Sequence, residues 1–156
     1  MKDKYFPERE ITHNDLFFVC FMVEKVARTL HRHNRYVVEH ISDDRLWHYL
    51  SIADVLHSQN PDQTAHDWIT DERLSEGSFD ITDIDKNIDV NIPSATAMGK
   101  VYTRLIIDTM LPDEDYVHAI RRIYGSSICD KIDDYNCSAF YEPSYIIARA
   151  YHNGGF

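Results

Sequence analysis

Three aspartates near the C-terminal end form the densest acidic cluster in the chain. Asp130, Asp133 and Asp134 are three and four residues apart, so a helix would place them on one face. Their carboxylate oxygens could hold Mg²⁺ or Ca²⁺ together with water molecules. Tyr135 and Tyr141 follow closely, and aromatic side chains beside charges are common at recognition surfaces. We therefore predict that these five residues form a binding site for a ligand or a partner.

The same cluster also has a purely structural interpretation. Charged faces are the default on helices that meet water. The aspartates could also receive Arg121 and Arg122 from the helix that precedes them. The sequence leaves both possibilities open beside the binding site.

Arg35 and His40 form a second candidate site, with the pattern R-x4-H. This spacing resembles that of HEPN-class ribonucleases, in which the histidine acts as acid and base and the arginine holds the scissile phosphate. Tyr36 differs from the pattern of those enzymes, in which a polar residue usually follows the arginine. Such a short pattern is frequent by chance. A solvated helix face is the favoured interpretation, and a metal-independent ribonuclease is kept as an alternative function.

The nine histidines do not predict a metal site. Zinc sites need three or four converging ligands, and His48 and His57 are nine residues apart, which turns a helix by about 180°. We predict neither a metal nor another cofactor.

Cys20, Cys129 and Cys137 form no CxxC pair, and the polar beginning MKDKYFPERE is unlike a secretory segment. These features predict a cytoplasmic protein with reduced thiols.

The net charge of −10 points to a basic protein partner or simply to solubility. An acidic surface makes binding to nucleic acid unlikely, since that needs a positive footprint. A homodimer is possible. One basic stretch, 25–35, could meet an acidic partner, but we expect it to meet the chain's own acidic residues at 76–89. We predict no membrane span, because Glu24, Lys25 and Arg28 interrupt the most apolar run.

Apolar spacing and helix-start residues indicate the elements that must position these side chains. The stretch DLFFVCFMVEKVARTL predicts a central buried helix from about Asn14 to His31, capped by Thr12 with Asp15. A single helix is predicted from Ser42 to about His57. We predict a mostly α, single-domain bundle of about six to eight helices over 1–156. Its helical subdomains would be 12–75 and 94–156, with an acidic, irregular or hairpin-containing connection at 76–93, where isoleucines and Val90 alternate with polar residues.

Residues 15–70 resemble a small bacterial helical domain of unknown function. The resemblance rests on an aromatic first helix, a short valine-rich helix, a third helix that ends in a Leu-His-Ser stretch and an acidic fourth helix. The corresponding segments are FFVCFMVEKVA, YVVEHI, ADVLHS and HDWI. Such domains are often encoded beside ADP-ribosyltransferase-type toxins, so the resemblance implies an accessory or antitoxin-like role.

Three functions follow from these observations. The favoured one is a protein-interaction or regulatory module, since the chain is acidic and aromatic-rich and contains no strong catalytic motif. The alternatives are the ribonuclease and a domain that binds a small ligand or a divalent metal ion. We expect a protein that is not an enzyme.

Overall fold

The computed structural model describes residues 1–88 and 91–156, and in these ranges it contains nine α-helices, a 3-10 helix and no strand. This confirms the mostly α, single-domain prediction. Ile52 alone separates α3 from α4, so the single helix predicted from Ser42 to His57 is split in two, and counting them as one gives eight. The helices are α1 (His13–Leu30), α2 (Asn34–Glu39), α3 (Asp43–Ser51), α4 (Ala53–Leu56), α5 (Pro61–Asp71), α6 (Ala95–Thr109), α7 (Tyr116–Tyr124), α8 (Ser127–Ile132) and α9 (Ser144–Asn153), with the 3-10 helix at Ala139–Tyr141.

Helix α1 is the centre of the fold. It begins with the predicted capping box, in which the Thr12 side chain accepts from the Asp15 amide and the Asp15 carboxylate accepts from the Thr12 amide. Its longest interface is with α6. The two helices approach closely at Gly99, where an added Cβ would lie 3.0 Å from the backbone of Phe21. A residue without a side chain is therefore needed at this crossing.

Helices from both halves of the chain share one hydrophobic core. Its buried members come from 11–81 and from 98–150 and include Trp68, which stacks on Tyr49 with 4.0 Å between ring centroids. The two predicted subdomains thus pack on each other along α1 and α6.

The N-terminal residues are attached to the helices by side-chain contacts. Asp3 is buried and accepts a hydrogen bond from Ser51 Oγ at 2.7 Å. Arg9 lies 3.1 Å from the carboxylate of Asp54 and 3.7 Å from those of Asp3 and Asp15. These contacts attach residues 1–11 to α1, α3 and α4.

The basic stretch 25–35 lies beside the connection but only partly meets its acidic residues, since among the described residues His31 Nδ1 lies 3.7 Å from Glu76 Oε1. Lys25 and Arg35 pair instead with Asp62 and Asp130, which lie outside 76–89. Arg32 Nε donates to the carbonyl of Ser75 at 3.0 Å, and the amides of Gly77 and Phe79 donate to carbonyls of Leu30 and His31. The connection therefore runs along the C-terminal end of α1.

The connection is irregular in its described parts, 76–88 and 91–93, where no hairpin forms. Asp89 and Val90, which belong to the predicted alternating pattern, lie outside the described residues.

In the part of the chain that the structure describes, every helix is too short or too polar to cross a membrane.

Candidate partner-binding cavity

The predicted acidic cluster lies at the end of α8 and lines a cavity of about 300 Å³. Helix α8 ends at Ile132, so that it includes Asp130 but not Asp134, and Asp133 is its C-cap. This early end separates the aspartates: Asp133 is buried, whereas Asp130 and Asp134 are exposed. Tyr135, which is 1% exposed, lines the same cavity. The structure thus brings together four of the five predicted binding residues.

The acidic connection forms the opposite wall of this cavity. Phe79, Asp80, Ile81 and Asp83 line it together with His33. The His33 and Phe79 rings stack with 3.7 Å between centroids. Sequence reasoning treated this segment only as a connection. Its high density of carboxylates was the signal that it belonged to the site.

Five carboxyl groups line the cavity wall, and four of them have hydrogen-bond or ion-pair partners among the described residues. One of these partners is a cation. Arg35 Nη2 lies 3.1 Å from Asp130 Oδ1. Asp80 accepts hydrogen bonds from Thr82, which lower the pKa of its carboxyl. Asp134 accepts from the side chain and backbone of Asn136. In the described ranges the Asp83 carboxylate has no hydrogen-bond or ion-pair partner, and its amide donates to the Asp80 carbonyl at 3.1 Å. Asp80, Asp83 and Asp134 therefore make the cavity wall negative.

The cationic partner of the cluster differs from the one that the sequence suggested. Arg121 pairs with Asp43 at 2.5 Å, and Arg122 pairs with Glu114 at 2.6 Å. Arg35, which the sequence placed in a separate candidate site, is the arginine that reaches the cluster.

Asp133 forms the buried floor of the cavity, with 7% of its surface exposed. Tyr102 donates to its Oδ1 at 2.6 Å, and Asn34 and Cys129 donate to its Oδ2 at 3.1 and 3.4 Å. Burial and the negative charge of Glu24 raise the pKa of Asp133 to about 8. Asp133 therefore keeps its proton to a higher pH than an exposed aspartate does.

Glu24 of α1 lies behind Asp133 and is 1% exposed. Its Oε1 accepts from Arg28 Nε at 3.0 Å and from the Tyr135 hydroxyl at 2.6 Å. Its Oε2 accepts from Asn34 Nδ2 at 2.6 Å. One ion pair and two further hydrogen bonds thus stabilise this buried carboxylate.

Sequence reasoning missed these inner residues. A glutamate inside the apolar run FFVCFMVEKVA could have been recognised as buried and partnered. No comparable signal marks Asn34 or Tyr102 in the sequence, since each contacts the cluster from a distant helix. Cys129 lies on α8 itself, four residues before Asp133.

Tyr141, the fifth predicted binding residue, lies outside this cavity. It is 84% exposed and lines a neighbouring cavity of about 440 Å³. Asn136 contributes to the walls of both cavities, so the two adjoin each other.

Arg35 and His40 have contacts with different parts of the protein. The Arg35 guanidinium donates to the carbonyl oxygens of Tyr124 and Ser126 at 3.2 and 2.8 Å, at the end of α7. His40 is exposed, and its Nδ1 lies 2.7 Å from the carbonyl oxygen of Tyr36. The structure does not direct both side chains to one substrate position.

We found no match to this chain among protein-family models, curated proteins or solved structures. The resemblance of residues 15–70 to a toxin-associated domain therefore stays a prediction.

The cavity is not a preformed metal site. Within 1–88 and 91–156, no three His, Cys, Asp or Glu side chains lie close enough together to hold a metal ion. The carboxylates surround the cavity rather than converge on one point in it.

Proposed function

We propose that this protein is an interaction module that binds a basic protein partner through the acidic cavity. The observation that carries the proposal is the cavity of about 300 Å³, whose wall includes the carboxylates of Asp80, Asp83 and Asp134 from two separate segments of the chain. A basic side chain that entered it would meet negative charge on both sides. Interfaces gain association rate and specificity from such complementarity.

The chemistry of the wall favours a lysine or arginine side chain. The cavity volume is at the lower end of the range for ligand pockets, which suits one side chain rather than a large ligand. Phe79 supplies an aromatic ring beside the carboxylates, and cations bind favourably over such rings. Nucleic acid is disfavoured because its phosphates would be repelled.

The resemblance noted above suggests which partner to try first. If the chain is an accessory or antitoxin-like protein, the partner is the product of a neighbouring toxin gene. A basic surface on that protein would enter the cavity and hold the two proteins together in the cytoplasm.

The first test is binding of the full chain to a labelled peptide, acetyl-Ser-Gly-Arg-Gly-Ser-amide, measured by fluorescence anisotropy. The same peptide with glutamate in place of arginine is the reference. We expect the arginine peptide to bind at least tenfold more tightly, and added salt to weaken its binding. Equal affinity for the two peptides would overturn the proposal.

Paired variants locate the binding site. Asp83→Asn/Asp134→Asn removes two charges from the cavity wall. Asp108→Asn/Asp113→Asn removes two exposed charges from α6 and the loop before α7 and serves as the control. We expect the first pair to lose at least tenfold in affinity for the arginine peptide, and the control pair to change by less than twofold. The same pairs can then be tested in co-purification with the product of a neighbouring gene.

A further inference from the structure

The acidic cavity adjoins a second cavity that is lined in part by aromatic rings. Asn136 lies in the wall of both, and the Tyr135 ring at the acidic end contacts Phe140 edge-on with 5.2 Å between ring centroids. Phe140 and Tyr141 line the second cavity, whose volume is about 440 Å³. A partner that binds in the acidic cavity can therefore also contact the aromatic side chains of the second cavity.

The 3-10 helix Ala139–Tyr141 explains why one aromatic ring is exposed here. It turns Phe140 into the core, leaving 9% of it exposed, and turns Tyr141 outward, with 84% exposed. Tyrosine is enriched among the residues that dominate binding energy at interfaces. An outward-facing tyrosine beside a cavity is a suitable contact for an apolar side chain.

We propose that the partner of this protein presents an extended segment in which a basic residue is followed or preceded, within a few positions, by a large apolar residue. The basic residue occupies the acidic cavity and the apolar residue packs on Tyr141 in the adjoining one. This inference rests on the proposed function and adds the chemistry of the bound segment. Extended chain advances about 3.3 Å per residue, so a short spacer can link two adjoining cavities.

A second copy of this chain is a less suitable occupant. Each copy carries a net charge of −10, so two copies would repel each other near the acidic cavity. The basic stretch 25–35 is also engaged within its own chain, through Arg28, Arg32 and Arg35. Charge complementarity therefore favours a different, basic protein.

Labelled peptides with the full chain test this proposal. Each contains one arginine and one leucine separated by one, two or three Gly or Ser residues in either order, and the matched peptides have serine in place of leucine. We expect the best arginine–leucine peptide to bind about tenfold more tightly than its arginine–serine counterpart. Tyr141→Ala should remove this advantage and leave the arginine–serine affinity within twofold.

Tyr145→Ala is the matched control, since Tyr145 is 62% exposed but does not line either cavity. Thermal melting followed by circular dichroism verifies that each variant is folded.

If leucine gives no advantage, or if Tyr141→Ala and Tyr145→Ala behave alike, the inference is wrong while the proposed function stands. If no arginine peptide binds better than the glutamate peptide, the proposed function itself fails. A wild-type dimer in sedimentation that Tyr141→Ala dissociates would show that this surface is a self-interface and would also overturn the inference.

Discussion

Glu24 and Asp133 are linked by one side-chain amide: Asn34 Nδ2 donates to Glu24 Oε2 at 2.6 Å and to Asp133 Oδ2 at 3.1 Å. Both carboxyl groups are buried, and Arg28 bonds directly to Glu24. One cation beside two buried carboxyl groups favours a state in which one of them keeps its proton. Because Asp133 also lines the acidic cavity, the charge state of the core is coupled to the proposed binding site.

The first prediction concerns the dependence of stability on pH. Asp133 keeps its proton up to a pKa of about 8, whereas an unfolded aspartate loses it near 3.8. Between these values the folded state binds more protons than the unfolded state, so the free energy of unfolding falls as pH rises. Three pH units at about 1.36 kcal/mol each give an upper limit of about 4 kcal/mol between pH 5 and pH 8.

Asp133→Asn isolates this contribution. Urea unfolding at pH 5 and at pH 8 should show that the variant loses less stability than wild type over this interval. Parallel stability curves for the two proteins would contradict the prediction. Asp134→Asn is the control, since Asp134 is exposed and its substitution should leave the wild-type slope in place.

A second prediction follows from the buried ion pair. Glu24→Ala leaves the Arg28 guanidinium and the Tyr135 hydroxyl without their buried partner. We expect the free energy of unfolding to fall by about 3–5 kcal/mol, as when one member of a buried ion pair is removed. Glu39→Ala, at an exposed position of α2, should change it by less than about 0.5 kcal/mol. Urea unfolding at one pH measures both, and similar values would refute the role given to Glu24.

The close approach of α1 and α6 yields a third prediction. Alanine favours helix over glycine by about 1 kcal/mol, yet a Cβ at position 99 would lie 3.0 Å from the Phe21 backbone. Backbone atoms cannot move aside cheaply, so Gly99→Ala should be destabilising by about 1–2 kcal/mol. Gly155→Ala, where nothing lies within 4 Å of the added atom, should be nearly neutral. A stabilised Gly99→Ala protein in thermal melting would show that the helices can separate at this point.

A fourth prediction distinguishes a catalytic role of Arg35 and His40 in a ribonuclease from a structural role of Arg35. Arg35 donates to two carbonyl oxygens at the end of α7 and pairs with Asp130. Arg35→Ala should therefore lower the free energy of unfolding by about 1–3 kcal/mol. His40→Ala should leave stability within about 0.5 kcal/mol of wild type, because His40 is exposed. Cleavage of a labelled RNA should be equal for wild type and His40→Ala at matched purity, and a loss of cleavage in His40→Ala would revive the alternative.

The helix caps and the burial of α1 are local features that the amino-acid sequence specifies. The caps at Thr12, Ser42, Asn60 and Ser94 accept hydrogen bonds from the first turns of α1, α3, α5 and α6. The burial of α1 follows from its apolar residues, which surround most of the helix. Such features depend on residues a few positions apart, and those residues are read directly from the chain.

Which carboxyl groups contact each other, and which of them are exposed to water, depends on how the helices pack. Asp133 and Asp134 are neighbours in sequence, but α8 ends between Ile132 and Asp133, so that one aspartate is buried and the next is exposed. Glu24 reaches Asp133 through Asn34 because α1, α2 and α8 pack together around these side chains. Contacts between distant segments depend on how whole helices pack, and helical spacing within one segment carries no information about them.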